Sequence, residues 1–126
     1  VAFEVRRNQT IPSSWFPKIF QIGPSTWVVG DSARFAMRGG TTDQGALLKP
    51  APGEMETVVY RIKGNQIMVR CGNAVATLTR TGAIIANNMV TTIGSDATGV
   101  QNLFGHVRNL RVWRRALTDD QMKAIA

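Results

Sequence analysis

Between Glu56 and Arg80 the chain runs through three stretches of alternating apolar and polar residues divided by two Gly-Asn pairs, and few folds accommodate such a text. Val58, Tyr60 and Ile62 lead into Gly64-Asn65; Ile67, Val69 and Cys71 lead into Gly72-Asn73; Ala74, Ala76 and Leu78 follow. Period-two alternation is the pattern of a strand with one buried face. Glycine as the first central residue of a two-residue loop suits a type II′ turn, whose backbone twist matches that of the strands it joins. Two such turns in succession predict a three-stranded antiparallel meander.

The same pattern recurs in shorter pieces on both sides of the meander. Val1 to Arg7 sets Val1, Phe3 and Val5 against Glu4 and Arg6, as a half-buried strand does. Further strands are predicted at Lys18–Ile22, Thr26–Val29, Ala33–Met37, Ala83–Ala86, Met89–Ile93 and His106–Arg114, the last with Leu110 and Val112 on one face. A polar, proline-bearing loop over Asn8–Pro17 carries Trp15 and Phe16. A long Gly/Pro/Thr/Asp-rich loop runs from Arg38 to about Glu54, a length that is often functional.

At the C-terminus the period changes. Thr118-Asp119-Asp120-Gln121 is a capping box, with Leu117 and Met122 placed as a hydrophobic staple and two carboxylates in the first turn. A short helix from Asp119 to about Ala126 follows. Many short strands with one small terminal helix read as an all-β sandwich or barrel. With 126 residues there is room for one domain, spanning 1–126.

Composition narrows the function classes. Cys71 is the only cysteine, so no intrachain disulfide forms and no Cys/His cluster has zinc spacing. A lone cysteine fits manufacture in a reducing cytoplasm, including that of a virion protein assembled there. No run of about 18 apolar residues occurs, so a soluble domain without membrane insertion is expected. The chain starts without methionine, inside a strand, as the C-terminal part of a longer protein would. A formal charge of +7 favours anionic partners, although the basic residues are scattered and serve a solvated surface equally well.

Phe104 to Ala126, "FGHVRNLRVWRRALTDDQMKAIA", resembles the closing signature of concanavalin A-like lectin/glucanase domains of the laminin G and pentraxin type. The residues that carry the likeness are Gly105, Val107, Leu110, Arg111, Val112, Trp113, Arg115, Ala116, Leu117 and Thr118. Upstream, "VAFEVRRN", "PKIFQIG", "IKGNQIMVRCGN", "VTTIG" and "LFGHV" stand in the order of the family's strands. The resemblance implies an antiparallel β-sandwich of the jelly-roll kind with one short C-terminal helix, and carbohydrate recognition as its function.

The glucanase members need two placed carboxylates about 5 Å apart for retaining chemistry. Here the close acidic pairs are Glu54 with Glu56 and Asp119 with Asp120, at a strand entrance and a helix cap, so an enzyme is not expected. His106 has no evident Asp or Ser partner for nucleophilic catalysis. Calcium needs six to eight oxygens, whereas Asp31, Asp43 and Asp96 are isolated; no cofactor is expected, with calcium as the alternative that the family's calcium-binding members leave open.

Candidate carbohydrate contacts are then Trp15 and Phe16 as an aromatic platform, or as a cover for one end of the fold. Arg34, Arg38 and Arg70 are candidates for an anionic ligand, or are solvated strand residues. Asn87 is a candidate hydroxyl partner within a turn, while Trp27 and Trp113 read as packing residues. Nucleic acid ranks below glycan as a partner, because "RNLRVWRR" has the composition but its Leu110 and Val112 alternate as core residues do.

The expectation is a non-catalytic module that binds a polysaccharide or glycan, anionic glycans included, in a phage tail-fibre or other virion or cell-surface protein. The alternative is a structural module that oligomerises, as a trimer for example, or decorates a larger assembly without binding sugar.

Overall fold

The structure is a computed structural model that describes residues 1–7, 18–22, 26–30, 35–39, 53–79, 91–95, 103 and 105–126. Nine strands and one helix are defined among them. Strands β1 (Ala2–Arg7), β5 (Met55–Lys63), β6 (Gln66–Cys71), β7 (Ala74–Thr79) and β9 (Gly105–Arg111) form one sheet in the order β7-β6-β5-β1-β9. Strands β2 (Lys18–Ile22), β3 (Thr26–Gly30), β4 (Phe35–Gly39) and β8 (Thr91–Ile93) form a second in the order β4-β3-β2-β8. Every described pairing is antiparallel, and helix α1 (Asp119–Ile125) closes the chain. The all-β expectation therefore holds at the level of antiparallel sheets with one short helix. The predicted strand at 83–86 lies outside the described residues.

The meander forms as its turns dictate. Lys63 faces Gln66 across Gly64-Asn65, and Cys71 faces Ala74 across Gly72-Asn73. Gly64 and Gly72 take φ of 59° and 55°, while neither Asn65 nor Asn73 has positive φ, the sign pattern of a II′ turn.

Side chains of the five-stranded sheet divide between two faces. Phe3, Val5, Val58, Tyr60, Ile67 and Val69 fill a buried cluster on one face, and Ile19 of β2 belongs to the same cluster. Strand β4 lies against β6 and β7. On the other face Ala2 and Val59 are covered by Leu117 and Met122, the two ends of the predicted staple. β5 is consequently buried on both sides, which explains the unbroken Val58-Val59-Tyr60 run at its centre. Each fully buried Val, Ile or Phe contributes roughly 1.5–3 kcal/mol of transfer free energy.

Strand β9 departs from expectation. It ends at Arg111, and its pairing with β1 steps from Glu4↔Arg108 to Ala2↔Arg111, three residues of β9 against two of β1. The extra residue makes a bulge, with Asn109 at φ 53°, a left-handed conformation that asparagine tolerates better than most side chains. Leu110 and Val112, expected on a core face, are instead 42% and 68% exposed. β9 is an outer strand of the sheet, and beyond Arg111 the chain has left the ladder.

Candidate functional site

The bulge and the helix cap together set the course of the chain between β9 and α1. Thr118 caps the helix as predicted: its hydroxyl accepts from the Gln121 amide (3.2 Å), and Gln121 Oε1 accepts from the Thr118 amide (3.0 Å). Arg61 of β5 adds a long-range tie. Its guanidinium donates to the Leu117 carbonyl (3.0 Å), to Asp119 Oδ1 and, at 3.5 Å, to Gln66 Oε1. Residues 112–117 are thereby held between the end of β9 and a helix pinned to β5.

A cleft of about 290 Å³ opens between this segment and the sheet. Its lining includes the apolar residues Ile62, Val112 and Trp113 and the basic residues Arg61, Arg114 and Arg115, with Val1 and Tyr60 beside them. Val1 is held there by a reciprocal pair of 2.7 Å bonds between its nitrogen and carbonyl and those of Tyr60. Trp113 is anchored by packing against the cluster beneath the helix, and the Arg111 guanidinium stands 5.9 Å from its ring centroid, within cation–π range. The chain bends at Arg114 and Arg115, and both residues are exposed and belong to the lining of the cleft. No carboxylate is among the described residues that line it.

The sequence candidates are distributed differently. Arg70 lies on β6 opposite Val59, hence on the helix-covered face, and its Nη1 donates to the Gly72 carbonyl (3.3 Å). Arg38 is the strand residue of β4 facing Trp27 of β3, not the first residue of a loop, and its side chain lies outside the described atoms. Trp15, Phe16, Arg34 and Asn87 lie outside the described residues, as do Asp31, Asp43 and Asp96. The described residues contain no cluster of three or more His, Cys, Asp or Glu able to hold a metal ion. No described helix is long and apolar enough to cross a membrane.

Two other polar groupings occur among the described residues. Glu4 accepts from Asn109 Nδ2 and from Arg108 Nε, each at 2.7 Å, and these bonds hold its carboxyl below the usual carboxylate range. His106 Nδ1 lies 3.3 Å from Arg6 Nη2 at the other end of β1.

Sequence reasoning passed over Trp113, Arg114 and Arg115 as a group because it assigned Trp113 to packing and kept the strand going to Arg114. The available signal was the apolar spacing itself. Val107 and Leu110 are three residues apart, which an unbroken strand cannot place on one face, so the spacing is a signal for a bulge. Comparison of the chain with protein-family models, with curated proteins and with solved structures gives no match.

Proposed function

We propose that this chain is a carbohydrate-recognition module of the concanavalin A-like, jelly-roll type, binding glycans without chemical turnover and serving a larger surface-exposed protein such as a virion fibre. The observation that carries the reading is the cleft beside Trp113. Trp113 and its apolar neighbours in the lining suit the apolar face of a pyranose ring, and the arginines of the same lining suit ring hydroxyls and acidic substituents. Its volume is near the lower end for ligand pockets, about 300 Å³, which suits one or two sugar residues. Ile19 of the second sheet, buried in the core of the first, supports the sandwich, and the capped helix supports the closing signature. The lone Cys71 suits assembly in a reducing compartment.

The test is a glycan-array screen at low and at physiological salt, with bacterial surface polysaccharides included. Selective binding that persists at physiological salt, where screening weakens nonspecific attraction, is the expected result. Uniform low-salt binding, or none, overturns the reading.

An assembly module is the second reading. It is favoured by exposed apolar residues on both outer strands of the five-stranded sheet, Val75 on β7 and Leu110 on β9. Such edges are templates for pairing with another chain. A solution mass of three times 13.8 kDa that persists on dilution supports it, and a stable monomer excludes its self-assembling form.

A further inference from the structure

We infer that the cleft selects an acidic sugar, with a carboxylate held by Arg114 and Arg115 and the ring face laid against Trp113. The inference rests on the carbohydrate reading above and goes on to name the ligand class. Three arginines and no carboxylate line the cleft among the described residues, so its field favours an anion over a neutral ring. The three guanidiniums are not equivalent. Arg61 is nearly covered and is engaged by Asp119, the Leu117 carbonyl and Gln66, which leaves it a structural role. Arg114 and Arg115 are exposed and have no ion pair among the described residues, so their donors are open to a ligand.

The shape argues for a sugar carboxylate over other anions. A planar guanidinium fork matches a carboxylate in bidentate fashion, and Arg114 and Arg115 are two exposed, successive arginines in the lining of one cleft. The lining also includes the apolar residues Ile62, Val112 and Trp113, which a free small anion would leave unused. A nucleic-acid backbone asks instead for a row of cations along a groove. In this cleft the free cations are concentrated at one bend.

The experiment uses acidic bacterial polysaccharides rich in uronic acid, each compared with its carboxyl-reduced form, in which the same sugars are neutral. Binding is measured for the unaltered chain, for Arg114→Gln with Arg115→Gln, and for Arg6→Gln, which removes an exposed charge at the far end of β1. We expect the acidic forms to bind, and carboxyl reduction and the double variant each to weaken binding roughly 10- to 100-fold, as loss of charge-assisted hydrogen bonds does. Arg6→Gln should change it little. Equal binding of the reduced polysaccharides overturns the acidic-sugar assignment while leaving carbohydrate recognition standing. Equal losses in the double variant and in Arg6→Gln overturn the site. Tighter binding of a single-stranded DNA oligonucleotide, with steep salt dependence, replaces the sugar by a nucleic acid. No binding of any glycan defeats both the assignment and the carbohydrate reading beneath it.

Discussion

Arg61 of β5 and Asp119 at the first turn of α1, 58 residues apart in sequence, form an ion pair that is lopsided in its burial: the arginine side chain is 9% exposed and the aspartate 67%. The lopsidedness says where the energy lies. An exposed carboxylate keeps most of its hydration, so the pair itself contributes at most about 1 kcal/mol. The covered guanidinium, in contrast, supplies a donor to the Leu117 carbonyl just ahead of the helix.

Arg61→Met keeps much of the apolar stem but leaves the Leu117 carbonyl without that donor, and should cost about 1–3 kcal/mol. Asp119→Asn removes only the exposed charge and its favourable place at the helix N-terminus, and should cost about 1 kcal/mol or less. Urea unfolding of the two variants checks the order. If Asp119→Asn proves the more damaging, the ion pair and not the carbonyl bond pins the helix.

Glu4 links the bulge to the sheet, since it holds Asn109 and Arg108 through separate oxygens. Asn109 and then Arg108 lower its pKa in the folded state from 4.5, and a depressed carboxyl stabilises the fold above its unfolded value and loses that effect as pH falls through the folded value. Thermal unfolding followed between about pH 6 and pH 2 should show the loss below about pH 4.5. The Glu4→Gln variant should start less stable at neutral pH and converge on the parent in acid. Parallel pH profiles for the two proteins would show that the clamp contributes nothing.

What was legible in the sequence was local. The Gly-Asn turns, the capping box and the alternation of Val1 to Arg7 each depend on residues within a few positions of one another, and the structure bears all of them out. What escaped was the non-local part. The bulge at Asn109 is bonded to Glu4, 105 residues away, and the course of 112–117 depends on Arg61, 56 residues from Leu117. Leu110 and Val112 look like core residues only if β9 is assumed straight. Trp113 shows both sides of the matter, since its packing was foreseen while its place in a cleft with Arg114 and Arg115 requires the bend that follows the bulge.

The two turn glycines are required by conformation and not by space. A Cβ built on Gly64 or Gly72 meets no atom within 4 Å, yet φ is 59° and 55°. Gly64→Ala should therefore destabilise by about 1–2 kcal/mol through backbone strain alone. D-alanine at the same position, for which positive φ is natural, should restore or exceed the parent's stability. Denaturant midpoints of the two proteins decide it, and an L-alanine variant as stable as the parent would mean that the turn rearranges without cost.

Tyr60 provides an internal probe of the core, because it is the chain's only tyrosine and is 2% exposed. Burial raises its hydroxyl pKa well above the ordinary value, since an ionised phenol in the core would be deprived of water. The unfolded chain releases this proton near pH 10, so below that pH the group leaves stability unchanged. Above it the unfolded state binds fewer protons than the folded one, and stability falls as pH rises. Tyrosinate absorbance should then stay flat past pH 10 while tryptophan fluorescence reports a folded chain, and should rise together with unfolding. Tyr60→Phe should abolish the absorbance change and reduce the alkaline loss of stability. A rise in tyrosinate absorbance near pH 10 with folded fluorescence intact would place the hydroxyl in contact with solvent and contradict the packing of Tyr60 among Phe3, Val58 and Ile67.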